Sequence, residues 1–269
     1  VLVRLRPSWT VWLLGLAVLL QGCGGAHARK QYQLDSATNT CRHQPASCAQ
    51  AAGQEAVLPT AVRTFATAGG SAVAALKILD DALKQEVTTA LEECANHART
   101  EVILERHGGT RPTPEECMEE LRDIQGRTLT RAMKLGEEMH RVALRCAAEK
   151  LNKLRPGGFS LEPTYLYDQG SGKTTWLSAA DVDRILRQGR MGELKGSLVP
   201  DVVLHAGHPD QVQAVYDFKF PCVDITRWPD WRRYPSGHPY AGYGQDEIYR
   251  EAFNLEKVLK VVPWLGAGP

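Results

Sequence analysis

The chain has 269 residues, 43% of them hydrophobic, enough to bury a full core in one or two domains and to argue against disorder throughout. Its formal net charge is +1, with a pI near 7.7, so no global positive field draws it onto nucleic acid. Any phosphate-binding surface must be local, or must borrow its positive charge from bound metal.

At the N-terminus, Arg4 and Arg6 precede an apolar run over residues 9–20 that ends at Leu20-Gln21-Gly22-Cys23. Such a run is too short to span a bilayer core of about 30 Å as a stable helix but suits the apolar region of a signal peptide. Its end resembles the bacterial lipobox, which implies lipidation of Cys23 and a mature protein that begins there. Gly24, in place of an aspartate, resembles the pattern sorted to an outer membrane. Several acyl chains, at roughly 0.8 kcal/mol per buried CH₂, would anchor the protein firmly. Residues 24–70 are rich in Ala, Gln, Ser, Thr and Gly with no sustained apolar period, and read as a tether.

Seven cysteines occur. Setting Cys23 aside leaves Cys41, Cys48, Cys94, Cys117, Cys146 and Cys222, an even number that permits disulfides in an exported chain without fixing their pairing. Cys41 and Cys48, near His27 and His43, match no usual zinc spacing and read as a local disulfide or free thiols.

From Ser71 onward, Leu76, Leu79, Leu83, Val87, Ala90 and Cys94 recur at three- and four-residue steps and predict a helix that ends at Gly108-Gly109. Thr113 and Pro114 look like the cap and first turn of a second helix. Leu129, Met133, Val142, Ala143, Cys146, Ala147, Leu151 and Leu154 predict a longer helix stopping at Pro156-Gly157-Gly158. Beyond it, residues 159–167 read as one strand, 168–173 as a turn, and 174–177 as a returning strand. A short helix is expected over 179–188. Residues 202–204 and 212–220 read as two strands about the turn Gly207-His208-Pro209-Asp210. An aromatic loop over 228–244 leads to a helix over 245–259, with Val261 and Val262 in a last strand.

Pairing the two central strands about their turn sets Val202 opposite Tyr216, Val203 opposite Val215, Leu204 opposite Ala214 and, by extension, Asp201 opposite Asp217. Directly opposed residues have Cβ atoms about 5 Å apart, where two like charges destabilise a sheet unless something compensates. A divalent cation between the carboxylates is an economical answer, since Mg²⁺ prefers oxygen ligands and partial hydration. Lys219, two residues past Asp217, shares its face, while Val202, Leu204, Tyr216, Phe218 and Phe220 point into the core. Two acids and an amine so placed suit phosphodiester hydrolysis: the metal activates water and neutralises phosphate, and Lys219 orients the water or stabilises developing charge.

Pro200-Asp201 followed by Asp217-Phe218-Lys219 resembles the PD-(D/E)xK nuclease superfamily, and Gln245-Asp246-Glu247-Ile248-Tyr249 resembles the QxxxY motif of its RecB-like branch. The resemblance covers roughly residues 126–265. It implies an α+β chain, in which an N-terminal helical region precedes a restriction-endonuclease-like core of helix, mixed central sheet and helix. It also implies Mg²⁺ or Mn²⁺ as cofactor, Asp201, Asp217 and Phe218 at the metal, and Gln245 and Tyr249 positioning nucleic acid. A helix-borne acid often completes the family's metal site; Glu138 is the candidate, with Glu137 and Glu149 behind it. The chain then divides into a signal peptide (1–22), a tether (23–70), a helical region (71–125) and a nuclease domain (126–269).

Other features compete less well. Pro209-Asp210, Pro229-Asp230 and Glu193-Leu194-Lys195 repeat fragments of the motif outside a paired apolar hairpin. Gly170-Ser171-Gly172-Lys173-Thr174 lacks the first glycine of a phosphate loop, Tyr167 standing there, and reads as a hairpin turn. His140, His205 and His208 have no nucleophile-and-base spacing and read as surface or packing histidines, whereas His238 is an auxiliary candidate because its loop leads into Gln245. Trp228, Trp231, Tyr234 and Tyr240 with Arg232 and Arg233 suit either base stacking and phosphate contact or a packed loop.

A lipobox joined to a C-terminal nuclease resembles polymorphic bacterial toxins, including the swarm-inhibition lipoprotein toxins of myxobacteria. That resemblance implies an effector acting in the cytoplasm of a recipient cell, with a cognate immunity protein. The alternatives are a non-catalytic envelope lipoprotein that uses a degenerate nuclease fold for binding, and a surface nuclease that scavenges nucleic acid.

Overall fold

The computed structural model describes residues 79–269 apart from 124, 125 and 127. The expected signal segment, Cys23, the tether with Cys41 and Cys48, and Leu76 of the first stripe lie outside the described residues.

The first helix, α1 (Asp81–His107), starts where the Asp80 carboxylate accepts the N–H of Leu83 and stops at Gly108, whose φ of 58° lies in the left-handed region. One stripe along it, Val87, Leu91, Cys94, Ala95, Ala98 and Val102, is buried. A one-turn helix, α2 (Pro114–Met118), has the expected Thr113 cap, with Glu116 closing the reciprocal capping bond. A short hairpin follows, β1 (Glu120–Arg122) and β2 (Thr128–Thr130), which the sequence reading did not anticipate. Leu129 therefore belongs to a strand, and the long helix α3 (Arg131–Leu154) begins after it, capped by Thr130.

The expected strand over 159–167 is two strands in different sheets. β3 (Phe159–Leu161) ends at Glu162, which adopts φ 46°, and Pro163, which has no N–H to donate. After this corner, β4 (Thr164–Asp168) leaves to pair with β5 (Lys173–Leu177) across the expected 168–173 turn. Helix α4 (Ala179–Arg187) and a 3₁₀ turn (Met191–Leu194) lead to β6 (Val202–His205) and β7 (Val212–Phe218). These two pair antiparallel in the expected register, with Val202 opposite Tyr216, Val203 opposite Val215 and Leu204 opposite Ala214. Helix α5 (Gln245–Phe253) is shorter than expected because Asn254 turns left-handed at φ 51° and ends it. That frees β8 (Leu259–Val262) to lie parallel to β7, with β9 (Gly266–Gly268) antiparallel beside it.

The chain is thus α+β, with a mixed five-stranded sheet in the order β3-β6-β7-β8-β9. Both faces are covered. On one side Val202, Leu204, Tyr216, Phe218 and Val261 pack with Phe220 against α1 and α3, as alternation predicts. On the other, Val203 and Val215 pack with Tyr249 and Phe253 of α5, Tyr165 and Tyr167 of β4, and Tyr234 and Tyr240 of the aromatic loop. The helical region before residue 125 shares its core with the sheet. Disulfides Cys94–Cys146, joining α1 to α3, and Cys117–Cys222, joining α2 to the segment after β7, staple the same side. No described helix is long and apolar enough to cross a membrane.

Candidate functional site

The site grows from the ends of β6 and β7. Asp201 immediately precedes β6, and its Oδ2 accepts the main-chain N–H of Phe218 at 2.7 Å, so the carboxylate reaches across to the neighbouring strand. Asp217 lies in β7 on the same face. Its Oδ2 meets Lys219 Nζ at 2.6 Å. All three residues are buried, at 6, 5 and 3% exposure respectively. Phe218 points its ring to the opposite core, so only its main-chain carbonyl could serve a metal.

Lys219 continues the ladder, its N–H donating to Val261 O at 3.0 Å, and the next residues are anchored from outside the sheet. Arg99 of α1, itself buried, donates to the carbonyl of Pro221 at 2.8 Å, while the Cys117 disulfide holds Cys222. Burial, with Arg111 adding to it, lowers the Arg99 guanidinium pKa to about 10. The strand end that carries Lys219 is therefore fixed on two sides.

From Lys219 the contacts run on to α5. Its ammonium donates to Gln245 Oε1 at 3.0 Å, and Gln245 Nε2 donates to the hydroxyl of Tyr249 at 3.0 Å. One helical turn separates the latter two, so both point the same way, and both are buried. Asp217, Lys219, Gln245 and Tyr249 form one continuous polar chain, with Asp201 beside it.

The electrostatics of this cluster are unbalanced. Burial pushes the Asp201 carboxyl well above its ordinary range, and the charges of Asp217 and then Glu162 push it further; Lys219 and the Phe218 N–H oppose them. Glu162 is a site residue that the sequence reading missed. Its own N–H donates to Asp201 O at 2.9 Å, and the residue is 6% exposed at the left-handed corner between β3 and β4. The signal was Glu162-Pro163, a break inside what otherwise reads as a continuous strand.

His140 of α3 is the second omission. Its Nδ1 lies 3.4 Å from Asp201 Oδ2, and its ring stands edge-on to Phe220. His140 is thus a helix side chain beside Asp201, whereas the expected Glu138 is engaged elsewhere. Two residues away on a helix is another face, and there Glu138 accepts from Arg106 of α1 at 2.6 Å. Glu137 is half-buried and Glu149 exposed.

The aromatic loop is packed. His238 stacks on Tyr234, its Nδ1 accepting the Tyr240 N–H, and Tyr240 donates its hydroxyl to the carbonyls of Tyr167 and Gly196. His238 thus serves the loop's own core. Arg232 offers its carbonyl to the Gln245 N–H at 2.8 Å, which fixes the start of α5, and Arg233 is exposed with Nη1 on Gly242 O. Trp231 reaches the site itself: Lys219 Nζ lies 5.2 Å from its ring centre.

Among the described residues, no three His, Cys, Asp or Glu side chains stand together as a preformed metal cage. Two buried like-charged carboxylates with a main-chain carbonyl between their strands nevertheless fit a hydrated Mg²⁺ or Mn²⁺, which keeps several waters and takes few protein ligands. Comparison with family models, with curated proteins and with solved structures gave no significant match to this chain.

Proposed function

We propose that the chain is a divalent-metal-dependent nuclease of the PD-(D/E)xK type, with a restriction-endonuclease-like core made of α3, β3, β6, β7 and α5. The observation that carries this reading is the continuous buried chain from Asp217 through Lys219 and Gln245 to Tyr249, with Asp201 bonded to the strand between them. A structural role alone explains it poorly, because an acid whose pKa is raised by burial and further by a neighbouring acid costs stability. Such a cost is typical of a site shaped for a ligand of opposite charge.

Asp201, Asp217 and the Phe218 carbonyl would hold the metal, with Glu162 adding charge and His140 steadying or ligating at Asp201. Once bound, that metal supplies an acidified water and neutralises phosphate charge. Lys219 presents a proton donor to the departing or developing oxyanion, and Gln245 holds the lysine's amine on its line. Tyr249 fixes the amide of Gln245. The low-exposure walls exclude bulk water and strengthen each of these interactions.

The proposal extends to an exported lipoprotein toxin, anchored through Cys23 at an outer membrane and acting on nucleic acid in a recipient cytoplasm, with a cognate immunity protein. Support for export comes from Cys94–Cys146 and Cys117–Cys222, since paired cysteines suit an oxidising compartment. Cytoplasmic expression of residues 24–269 in a bacterial host tests it. Toxicity with loss of cellular DNA or RNA, abolished by Asp217→Ala and Lys219→Ala, is expected. Equal growth with the active and substituted forms, both folded, would leave a non-catalytic binding protein instead.

A further inference from the structure

Lys260 stands in β8, a strand that is otherwise apolar, as the direct register partner of Asp217 in the parallel ladder. Paired residues of neighbouring strands share a face, which brings this second lysine to the side of the sheet that carries Asp217 and Lys219. It is 6% exposed. Its Nζ donates to Pro229 O at 2.9 Å and lies 5.3 Å from the ring centre of Trp231 and 5.9 Å from that of Trp228. No described carboxylate lies within ion-pair distance of it.

This arrangement is costly for a purely structural lysine. Burial disfavours the charge, and the ammonium of Lys219, on the same indole, repels it; Asp230 and Asp246 offset this only in part. A lysine ammonium has three donor positions, of which a carbonyl takes one here, and an indole face attracts the charge without accepting a hydrogen bond as an oxygen would. The Lys260 ammonium, with donor positions left over and the ammonium of Lys219 near it, matches an anion with several oxygens. Of the two indoles, that of Trp228 is packed tightly on β9. Gly268 of β9 lies so close to Trp228 that a Cβ there would come within 2.8 Å of the ring.

We propose that Lys260 and Lys219 form a phosphate subsite, in which Lys260 takes a non-bridging oxygen of a nucleic-acid backbone phosphate and Trp231 is the cover displaced when that phosphate binds. The subsite deepens the nuclease reading and rests on it for its ligand. It also places a local positive site in a chain whose net charge is only +1.

The test is fluorescence anisotropy of a short fluorescein-labelled oligonucleotide, once as DNA and once as RNA, on the purified protein in EDTA at several salt concentrations. Lys260→Gln is expected to weaken binding several-fold for every sequence and to lower the salt slope by about one, with Lys260→Arg restoring most of the affinity. The wild-type protein's tryptophan emission is expected to shift as unlabelled oligonucleotide is added. Unchanged affinity and slope in Lys260→Gln would overturn the subsite. Should that variant fail to fold, unresponsive wild-type emission at saturating oligonucleotide would do the same. A wild type that binds through Lys260 yet cleaves nothing with Mg²⁺ removes the nuclease and keeps the subsite. Cleavage together with Lys260-independent binding removes the subsite alone.

Discussion

The two faces of β6 and β7 are built from alternate residues of the same strands, yet they obey different rules. Toward α1 and α3 the sheet presents Val202, Leu204, Tyr216 and Phe218, and the one polar atom there, the Tyr216 hydroxyl, is matched by Thr88 Oγ1 at 3.0 Å. At the strand ends stand Asp201, Asp217 and Lys219, the lysine reaching α5 and Asp201 meeting His140 of α3, buried as deeply but with acid set against acid. One face is organised for stability. The other spends stability on a charge pattern, as expected of a site whose complement is a ligand.

Substitutions sharpen that contrast. Phe218→Ala, on the apolar face, is expected to cost 3–5 kcal/mol, roughly the usual penalty for emptying a core aromatic site, read as a lowered denaturation midpoint. Cys117→Ser with Cys222→Ser removes the bridge across a sequence separation of 105 and is expected to cost on the order of 4 kcal/mol by the same readout. An undiminished midpoint in either case would break the picture of a stapled apolar side.

Acid acts on His205 and on Asp201 with opposite signs. Burial lowers the pKa of His205, in β6, from 6.5 to about 4, so its neutral form contributes stability above pH 6.5 that is lost as pH falls toward 4. That contribution is on the order of 3 kcal/mol at most. Melting curves of His205→Gln are expected to be flatter than wild type across this window. Asp201 runs the other way: its raised pKa makes the ionised form costly, so the penalty appears as pH rises above the unfolded carboxyl value. Asp201→Asn is therefore expected to stabilise the metal-free protein by about 1 kcal/mol at neutral pH, with the gain fading in acid. A loss of stability at neutral pH would mean that the acid serves the fold.

What was legible in the sequence follows the same division. The β6–β7 register could be read because strict alternation and a turn-rich connection leave one pairing that buries the apolar set. With it came Asp201, Asp217 and Lys219, while Gln245 and Tyr249 came from the resemblance to the QxxxY motif. Glu162 was hidden because apolar and β-branched residues run on either side of it, and only Pro163 marks the corner that removes β4 from the main sheet. Choosing Glu138 over His140 followed residue type, whereas the helix phase that aims His140 at Asp201 depends on how α3 docks. Lys260 carried a faint signal, a lone lysine in an apolar run, whose partner across a parallel ladder no local pattern reveals. β9, with Gly, Ala and Gly, had no apolar signature at all.

The most direct measurement is cleavage of DNA and RNA by the purified protein with Mg²⁺ or Mn²⁺ and with EDTA, for wild type and Asp217→Asn side by side. Cleavage confined to wild type with metal is the predicted result. Cleavage that survives EDTA or the substitution, or none from a folded wild type on either nucleic acid, contradicts the role given to the paired aspartates.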